Sequence, residues 1–381
     1  MSSVYFDHNA TTALDSRVLE SMLPFMTAQH GNPTSRHTYG RHARSAIERA
    51  REQVADAVNA HPSQVIFTSG GTEANNLAVT GIAGSYGISQ IAVSAIEHPC
   101  ISRPALAMQQ RGWKLAVLPV NNSGMVQESS VEQLLQTETS LLSVMLANNE
   151  TGVLQKVAAI AAIARSKGVT VHTDAVQALG KIKVDFAELN VNAMTLSSHK
   201  INGPQGAGAL ILDKRIDIQP IMHGGGQERG LRSGTENVAA IVGFGAACEL
   251  LNTRLLQEPG RIRQLRERLE IGLKKLGAVI FGADAERLAN TSFFAFNEIE
   301  GETLVMALDR KGFAVASGSA CSSDSSEPSA VLLAMGVEPD LAKGAIRVSL
   351  GTNNSPEQID AFVEVLQGEI TRLRQLTAVA V

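Results

Sequence analysis

Five short apolar segments of this 381-residue chain are each followed directly by polar residues that could do chemistry. The residues that follow them are Ser69-Gly70-Gly71-Thr72, Glu97-His98-Pro99, Asn148-Asn149-Glu150-Thr151-Gly152, Asp174 with Gln177, and Ser197-Ser198-His199-Lys200. Any one of these groups could be a capped turn, a packed histidine or a surface lysine. Five in succession, each with different chemistry, are hard to obtain from turns alone. We therefore treat them as one candidate site.

The set combines an amine, a carboxylate and a turn that could bind an anion. Gly70 and Gly71 let backbone N–H groups approach an anion, and the helix predicted after them directs its positive end to the same point. The turn is neither a GxxxxGK[ST] loop nor a GxGxxG fingerprint, so it does not favour a nucleotide. Pyridoxal phosphate needs a phosphate cradle, an anionic partner for its ring nitrogen and a lysine for its aldehyde. With Asp174 and Lys200 as the last two, the sequence predicts a pyridoxal-phosphate site.

A separate chemical feature is the thiol of Cys321, which lies in SGSACSSDSSEPS, residues 317–329. Seven of these thirteen residues are serine, whereas a buried cysteine has apolar neighbours. Composition alone is satisfied by an exposed thiol in a flexible loop. The five groups that follow the apolar segments favour a second interpretation, in which the thiol moves between the cofactor and an acceptor.

The other two cysteines carry less information. Cys248 lies in the small and apolar run GFGAACELL and is predicted to be a core residue, while Cys100 follows His98-Pro99 and could be structural or reactive, with structure favoured. Three widely spaced cysteines without a CxxC pair argue against a disulfide framework and against a structural zinc site. No metal site is expected.

Composition excludes several classes of protein. Hydrophobic residues at 44% and charged residues at 18% are typical of a folded globular chain. A net charge of −4 and 4% aromatic residues do not favour binding to nucleic acid or to an acidic membrane. The segment MSSVYFDHNATT has no charged region followed by an apolar run, and no stretch approaches the roughly 20 apolar residues of a membrane span. We expect a cytoplasmic protein.

The elements that must position these residues are short strands separated by helices. The predicted strands are VIFT from Val65, IAVS from Ile91, KLAVLPV from Lys114, LLSVMLA from Leu141, VTVHTD from Val169 and AMTLSS from Ala193. This alternation predicts an α/β fold whose mostly parallel sheet is covered by helices on both faces. Such sheets bind ligands beyond the carboxyl ends of their strands, which is where the five polar groups lie.

Three units are predicted along the chain: an N-terminal arm at 1–14, a large cofactor-binding domain at 15–255, and a smaller α+β C-terminal domain at 256–381 that carries the cysteine loop. The last unit contains the predicted strands SFFAF, FAVAS and AIRVS. Its final helix opens at Ser355-Pro356, with Gln358 completing a capping box.

Nine motifs of the chain resemble those of a known family. They are YFDHNATT, FTSGGTEANNLA, EHP, NNETG, HTDAVQALGK, SSHKINGPQGAGAL, HGGGQERGLRSGTEN, SGSACSSDSSEPS and IRVSLG. They resemble the motifs of the cysteine desulfurases, the NifS/IscS-like enzymes of the class V aminotransferase family, and in particular the group with a long serine-rich cysteine loop. The matches run in order from residue 4 to about 351, and together they are highly specific.

The resemblance implies a fold-type-I pyridoxal-phosphate enzyme that acts as a homodimer. Such an enzyme takes sulfur from L-cysteine, leaves L-alanine and passes an enzyme-bound persulfide to an acceptor protein for iron–sulfur clusters or other thio-products.

Residue roles follow from the same resemblance. For the cofactor, it implies attachment to Lys200, pairing of Asp174 with the ring nitrogen, stacking of His98 on the ring, a bond from Gln177 to the phenolic oxygen, contact with Asn149, and a phosphate site of Gly71, Thr72, Ser197 and His199 with Thr235 from the partner subunit. For the substrate, it implies binding of the carboxylate by Asn149 and Arg347 and attack by Cys321. We take His98 as the candidate to accept the proton of the Cys321 thiol.

Some features depart from the family pattern. Ser198 stands where glycine is usual, Gln205 stands where lysine is common, and the chain ends soon after RLRQLTAVAV, which puts the usual contact with an iron–sulfur scaffold in doubt. Selenocysteine lyase or cysteine-sulfinate desulfinase remains the alternative activity, although a thiol on a serine-rich loop favours the desulfurase. A catalytically silent scaffold is a third hypothesis, against which Lys200 and Cys321 both argue.

Overall fold

A seven-stranded sheet forms the centre of the larger part of the molecule in the computed structural model, which describes residues 3–135, 138–318 and 327–379. In spatial order its strands are β2 (Val65–Thr68), β8 (Gly208–Leu212), β7 (Ala193–Ser197), β6 (Thr170–Asp174), β5 (Thr139–Ser143), β3 (Gln90–Ser94) and β4 (Lys114–Leu118). Strand β8 runs antiparallel to both of its neighbours, and the other pairings are parallel. The prediction of a mostly parallel sheet is confirmed.

Helices cover both faces of this sheet. They are α1 (Ser16–Thr27), α2 (Thr38–Ala57), α3 (Gly71–Asn76), α4 (Ile82–Gly84), α5 (Pro99–Gln110), α6 (Glu128–Leu134), α7 (Val157–Ser166), α8 (Phe186–Leu189) and α9 (Val238–Glu249). The alternation of the strands divides the apolar residues between two cores: Val65 and Phe67 pack with the helices of one face, while Ile66 packs with α3, α4 and α5 on the other.

A second, smaller sheet has its own apolar core. Its order is β12 (Ala316–Ser317), β13 (Ile346–Ser349), β10 (Thr291–Ala295) and β9 (Val279–Ile280), with antiparallel pairing throughout. The associated helices are α10 (Leu251–Lys275), α11 (Gly301–Arg310), α12 (Ala330–Ala334), α13 (Pro339–Lys343) and α14 (Pro356–Val379). A parallel pair of β1 (Val4–Tyr5) and β11 (Phe313–Ala314) joins the start of the chain to this part.

Helix α10 passes from the first core to the second. Leu251 packs in the core of the large sheet, whereas Leu265 and Leu269 pack in that of the small sheet. The predicted boundary at 255/256 therefore falls inside one continuous helix, and the domain limits stay a prediction.

Several elements differ in detail from the sequence-based expectations. The expected strand FAVAS is two short strands, because residues 313–314 pair with β1 and residues 316–317 pair with β13. The helix expected from Thr72 begins at Gly71 and includes a π-helical turn at Leu77–Gly81. Strand β8 and helix α1 were not predicted. The capping box is confirmed, since the Ser355 N–H donates to Gln358 Oε1 at 3.2 Å and the Gln358 N–H donates to Ser355 Oγ at 3.4 Å.

Two further features of the described residues concern membrane spans and metal ions. No single helix in them is long and apolar enough to cross a membrane, although α9 and α10, which meet at 57°, reach that length and composition as a bent pair. No group of three or more His, Cys, Asp or Glu side chains within 3–135, 138–318 and 327–379 is arranged to hold a metal ion.

Candidate active site

A cavity of about 450 Å³ lies beyond the carboxyl ends of the parallel strands. Its walls come from both parts of the molecule, because β5, β6 and β7 lead into it from the large sheet and Arg347 reaches it from β13. The predicted residues among its lining are Gly71, Thr72, His98, Asn149, Asp174, Gln177, Ser197, His199, Lys200 and Arg347. A volume of this size is typical of a site for a small-molecule cofactor together with its substrate.

Two predicted residues are not part of this lining. Cys321 lies outside the described residues. Thr235 is exposed and is not among the described residues that line the cavity.

Lys200 ends a short 3₁₀ turn, Ser198–Lys200, that directly follows β7. Its Nζ donates to the backbone carbonyl oxygens of Asn9 at 2.5 Å and Ala10 at 2.6 Å. The N-terminal arm thus holds the amine at the edge of the cavity, where an aldehyde could reach it.

Asp174 is the last residue of β6 and is only 7% exposed. Oδ1 accepts a bond from the Val176 N–H at 2.9 Å, and Oδ2 accepts one from Asn75 Nδ2 at 2.7 Å. Burial raises the pKa of Asp174, and these two bonds together with the charges of His98 and Lys200 act in the opposite direction. A buried carboxylate of this kind is stabilised by a cationic partner, which a protonated ring nitrogen would provide.

The phosphate position predicted from the Gly-rich turn has an open bonding partner. Ser197 Oγ is buried and has no hydrogen-bond partner among the described residues. A Cβ atom on Gly71 would lie 3.0 Å from Val176 Cγ2 and 3.5 Å from Ser197 Cβ, so the glycine keeps this space free. The start of α3 and an unsatisfied hydroxyl therefore fit the phosphate of pyridoxal phosphate.

His199 borders the same position. Its Nδ1 lies 3.1 Å from Thr11 Oγ1. Burial, followed by the charges of Lys200 and Lys181, lowers the pKa of His199 to about 4. The ring is neutral near pH 7 and can donate one hydrogen bond to an anion.

Arg347 offers a site for a carboxylate. It is 5% exposed, and its guanidinium donates to Asp7 Oδ1 at 2.7 Å and to the Asn149 carbonyl oxygen at 3.0 Å. Its Nε is buried with no hydrogen-bond partner within the described ranges. A buried arginine with an open donor beside a cavity fits an anionic group of a substrate.

His98 caps the start of α5 with its side chain. Nδ1 accepts a bond from the Cys100 N–H at 3.2 Å, and Cys100 Sγ lies 2.8 Å from the same nitrogen. Burial lowers the pKa of His98. The side chain is half-buried and borders the cavity next to Asp174.

Cys100 lies in the wall of the cavity. The sequence left this residue as structural or reactive, with structure favoured, and its thiol bonds with His98 and Asn75. Cys248, by contrast, is 2% exposed in the core between the large sheet and its helices, which confirms the prediction for that residue.

Asn9 is a site residue to which the sequence analysis gave no role. It is 1% exposed, and its backbone carbonyl accepts bonds from Lys200 Nζ and, at 2.9 Å, from Gln177 Nε2. Its side-chain Oδ1 accepts a bond from Lys181 Nζ at 3.0 Å, and Nδ2 donates to Thr291 Oγ1 at 2.9 Å. Asn9 lies inside the motif YFDHNATT, and the motif was the available signal, but contacts so distant in sequence could not be read from it.

Comparison with known proteins agrees with this geometry. The aminotransferase class-V family matches residues 4–362. The chain is 41% identical over 376 residues to cysteine desulfurase IscS 1 of Archaeoglobus fulgidus, with 98% of each chain covered. A solved NifS-like protein superposes with a TM-score of 0.92 at 38% identity and covers 97% of this chain and 99% of its own. The structure of SspA in complex with cysteine has a TM-score of 0.81 at 31% identity and covers 91% of this chain and 98% of its own.

Proposed function

Because the chain belongs to the aminotransferase class-V family, we propose that it is a pyridoxal-phosphate-dependent cysteine desulfurase. It takes the sulfur of L-cysteine and leaves L-alanine. The observation that carries the proposal is one cavity lined by Lys200, Asp174, Ser197 and Arg347, where Ser197 Oγ and Arg347 Nε are buried without a hydrogen-bond partner in the described part of the chain. Amine, carboxylate, phosphate site and carboxylate site are the four functions that this cofactor and an amino acid require.

The residues of the large sheet hold the cofactor. Ser197 Oγ and the N–H groups at Gly71 and Thr72 bind the phosphate, and Asp174 keeps a positive charge on the ring nitrogen. When bound, pyridoxal phosphate supplies an electron-withdrawing ring that stabilises negative charge at the substrate's α-carbon.

Arg347 and Lys200 act on the substrate. Arg347 Nε binds the carboxylate of L-cysteine, and the nearby Asn149 completes this side of the cavity. The Lys200 amine would hold the aldehyde of the cofactor and, when free and unprotonated, would accept the proton of the substrate's α-carbon. The carbonyl oxygens of Asn9 and Ala10 can then accept hydrogen bonds from the resulting ammonium.

The sulfur leaves on Cys321, a residue outside the described ranges. Its thiolate attacks the substrate sulfur, so that a new S–S bond forms as the bond between sulfur and the substrate β-carbon breaks. The electron pair of the broken bond stays on carbon, the β-carbon takes up a proton equivalent to the one lost by the thiol, and the Lys200 ammonium returns its proton to the α-carbon. L-cysteine and the enzyme thiol thus give L-alanine and an enzyme persulfide, with no external oxidant or reductant.

We also propose that two copies of the chain share each site. Thr235 is exposed and lies away from the cavity of its own chain, as expected of a residue that serves a neighbour. Helix α1 carries Leu19, Leu23 and Met26 at exposed fractions of 41%, 45% and 62%, an apolar surface that a second copy could cover.

The persulfide sulfur is proposed to pass to an acceptor protein for iron–sulfur cluster assembly or another thio-product. The name of the relative from Archaeoglobus fulgidus supports this proposal at the level of the family. Labelled L-cysteine added to an extract, followed by identification of the labelled proteins under non-reducing conditions, identifies the acceptor. A label that stays on the enzyme alone would contradict the transfer.

Purified protein loaded with pyridoxal phosphate tests the activity directly. We expect equal amounts of alanine and persulfide from L-cysteine, and higher rates with L-cysteine than with selenocysteine or cysteine sulfinate. Lys200→Ala should abolish turnover and leave the fold intact, because no other amine replaces its attachment to the cofactor. The matched control is Lys183→Ala, since Lys183 is exposed and pairs with Glu188 and Asp185. Full activity of Lys200→Ala would overturn the assignment.

A further inference from the structure

A network of hydrogen bonds in the wall of the cavity connects two side chains that are proposed to bind the cofactor. Asn75 is fully buried and its Nδ2 donates to Asp174 Oδ2 at 2.7 Å. The same Nδ2 lies 3.0 Å from Cys100 Sγ, which in turn lies 2.8 Å from His98 Nδ1. Asp174 and His98 are thus linked through two residues that have no role in the proposed mechanism.

The donors in this network fix the position of each proton. The backbone N–H of Cys100 can only donate, so His98 Nδ1 is an acceptor and carries no proton. A neutral imidazole carries one proton, which is therefore on Nε2. Because Asn75 donates to Sγ, the Cys100 thiol can direct its own proton to His98 Nδ1.

Burial keeps the His98 ring neutral and the Cys100 side chain a thiol. It lowers the pKa of His98, which favours the neutral ring. Burial, together with the negative charge of Asp174, raises the pKa of Cys100, which favours the thiol over the thiolate. A thiol held in this way is a hydrogen-bond donor and a poor nucleophile.

We propose that Cys100 and Asn75 are positioning residues that hold His98 with its proton on Nε2, so that His98 donates a hydrogen bond into the cavity and accepts no proton from it. The position of the proton on His98 does not depend on the activity of the protein. Its consequence for catalysis rests on the proposed desulfurase function.

This inference replaces the expectation that His98 accepts the proton of the Cys321 thiol. The Nδ1 lone pair is occupied by bonds from residue 100, and Nε2 already carries a proton. The thiol proton must therefore go to another group or to water, while the N–H of His98 is available to an acceptor on the cofactor or substrate.

Nitrogen NMR of the histidine rings tests the proposal without a measurement of activity. Protein labelled with ¹⁵N in histidine is examined at neutral pH with and without pyridoxal phosphate, and His98→Gln assigns the His98 signals by their loss. We expect an unprotonated Nδ1 and a protonated Nε2 in both samples. A protonated Nδ1 in the wild-type protein would overturn the proposal, whether or not the protein is a desulfurase.

Substitutions at residue 100 test the contribution of the thiol. Cys100→Ser retains a donor for Nδ1 and an acceptor for Asn75 and should keep the wild-type pattern. Cys100→Ala leaves only the longer backbone bond and should give a mixture of the two ring forms, with kcat about tenfold lower and KM for cysteine unchanged. An unmixed wild-type pattern in Cys100→Ala would remove the thiol from the proposal.

Cys248→Ala is the matched control, because it also removes a buried thiol but lies in α9 away from the cavity. It should leave both the His98 signals and kcat unchanged. If Cys100→Ala does not fold, Asn75→Ala interrupts the same network at the next residue, and it should also broaden the distribution of ring forms. Unchanged His98 signals in Asn75→Ala would exclude Asn75 from the positioning role.

Discussion

At the scale of single residues, burial shifts the pKa values of titratable groups near the cavity. It raises the pKa of Glu97 to about 8 and that of Glu150 to about 7, and it lowers the pKa of His199 to about 4. The two glutamates, which would be charged on the surface, are therefore neutral or partly neutral here near pH 7. Asp174 is the carboxylate for which the proposed cofactor supplies an opposite charge.

Substitution of Asp174 separates cofactor binding from catalysis. Asp174→Asn should retain the cofactor through Lys200 and the phosphate site, but kcat should fall by about a hundredfold or more, because an amide cannot hold a positive charge on the ring nitrogen. Absorbance of the bound cofactor and alanine release measure the two effects. Turnover at the parent rate would mean that Asp174 is only structural.

Glu97 should make stability depend on pH. Its Oε1 accepts bonds from Ser94 Oγ at 2.5 Å and from the Met145 N–H at 2.7 Å, while Oε2 is buried without a partner in the described part of the chain. Because the folded-state pKa of about 8 lies above the ordinary value of 4.5, the folded protein binds this proton more tightly. The resulting stability is fully present below pH 4.5 and is lost as the pH rises through about 8.

Glu97→Gln mimics the protonated side chain and should not lose this stability. Relative to wild type, the variant should gain thermal stability as the pH is raised from about 6 to about 9, by about 2–4 °C for each kcal/mol involved. Unfolding midpoints at several pH values measure the difference. A difference that stays constant with pH would exclude titration of Glu97 in this range.

At the scale of elements, a buried ion pair contacts β2, the strand at one edge of the large sheet. The Glu228 carboxylate accepts two bonds from Arg51, at 2.7 and 2.9 Å, and a third from the Phe67 N–H of β2 at 2.8 Å. The Phe67 N–H at the edge is thereby satisfied by a side chain, and the Val65 carbonyl oxygen accepts bonds from Arg51 and Arg229. The same contact holds the glycine-rich segment that carries Thr235 against the large sheet.

Loss of the ion pair between Arg51 and Glu228 should lower the stability of the fold. Glu228→Gln leaves the buried Arg51 with only the more exposed Glu48 as a charged partner, and the expected loss is about 3 kcal/mol in the free energy of unfolding. Denaturant unfolding measures it. The control is Asp360→Asn, which breaks the exposed pair with Arg268 and should change stability little. Equal effects of the two variants would show that burial of the Arg51 pair is not decisive.

At the scale of the whole molecule, the site is formed by residues of the large sheet, the small sheet and the N-terminal arm together. The large sheet provides Asp174 and Lys200, the small sheet provides Arg347, and the N-terminal arm provides Asn9. The proposed dimer adds Thr235 of the partner subunit. No single core could form this cavity by itself.

Mixing two inactive variants tests the shared site. Lys200→Ala removes the cofactor attachment, and Thr235→Asp places a carboxylate against the phosphate of the partner's site. After unfolding and joint refolding, about a quarter of the sites should combine an intact Lys200 with an intact Thr235, and activity should return to that extent. Lys200→Ala mixed with the double variant is the control and should stay inactive. Absence of recovery in the first mixture would contradict the shared site.

The sequence predicted those features that depend on local pattern. Apolar strands followed by polar residues located nine of the lining residues, since parallel strands end at one edge of a sheet, whereas Arg347 was expected only from the family resemblance. Asn9, Asn75 and Cys100 were missed because their roles depend on partners far away in the chain. The division of FAVAS into two strands was missed for the same reason, because residues 313–314 pair with β1, which is far away in the chain.

The contacts of the N-terminal arm also affect the order in which the protein can mature during synthesis. The Asn9 N–H bonds Ser349 Oγ across 340 positions, and β1 pairs with a strand at residue 313. The arm must therefore wait for Ser349, which is synthesised 340 positions later, while the large sheet can already form. A nascent chain halted before β13 would contain Lys200, Asp174 and the arm, but the arm would lack its anchor at Ser349. The enzyme should thus acquire its cofactor as a late step of its synthesis, and a ribosome-bound fragment should remain without it.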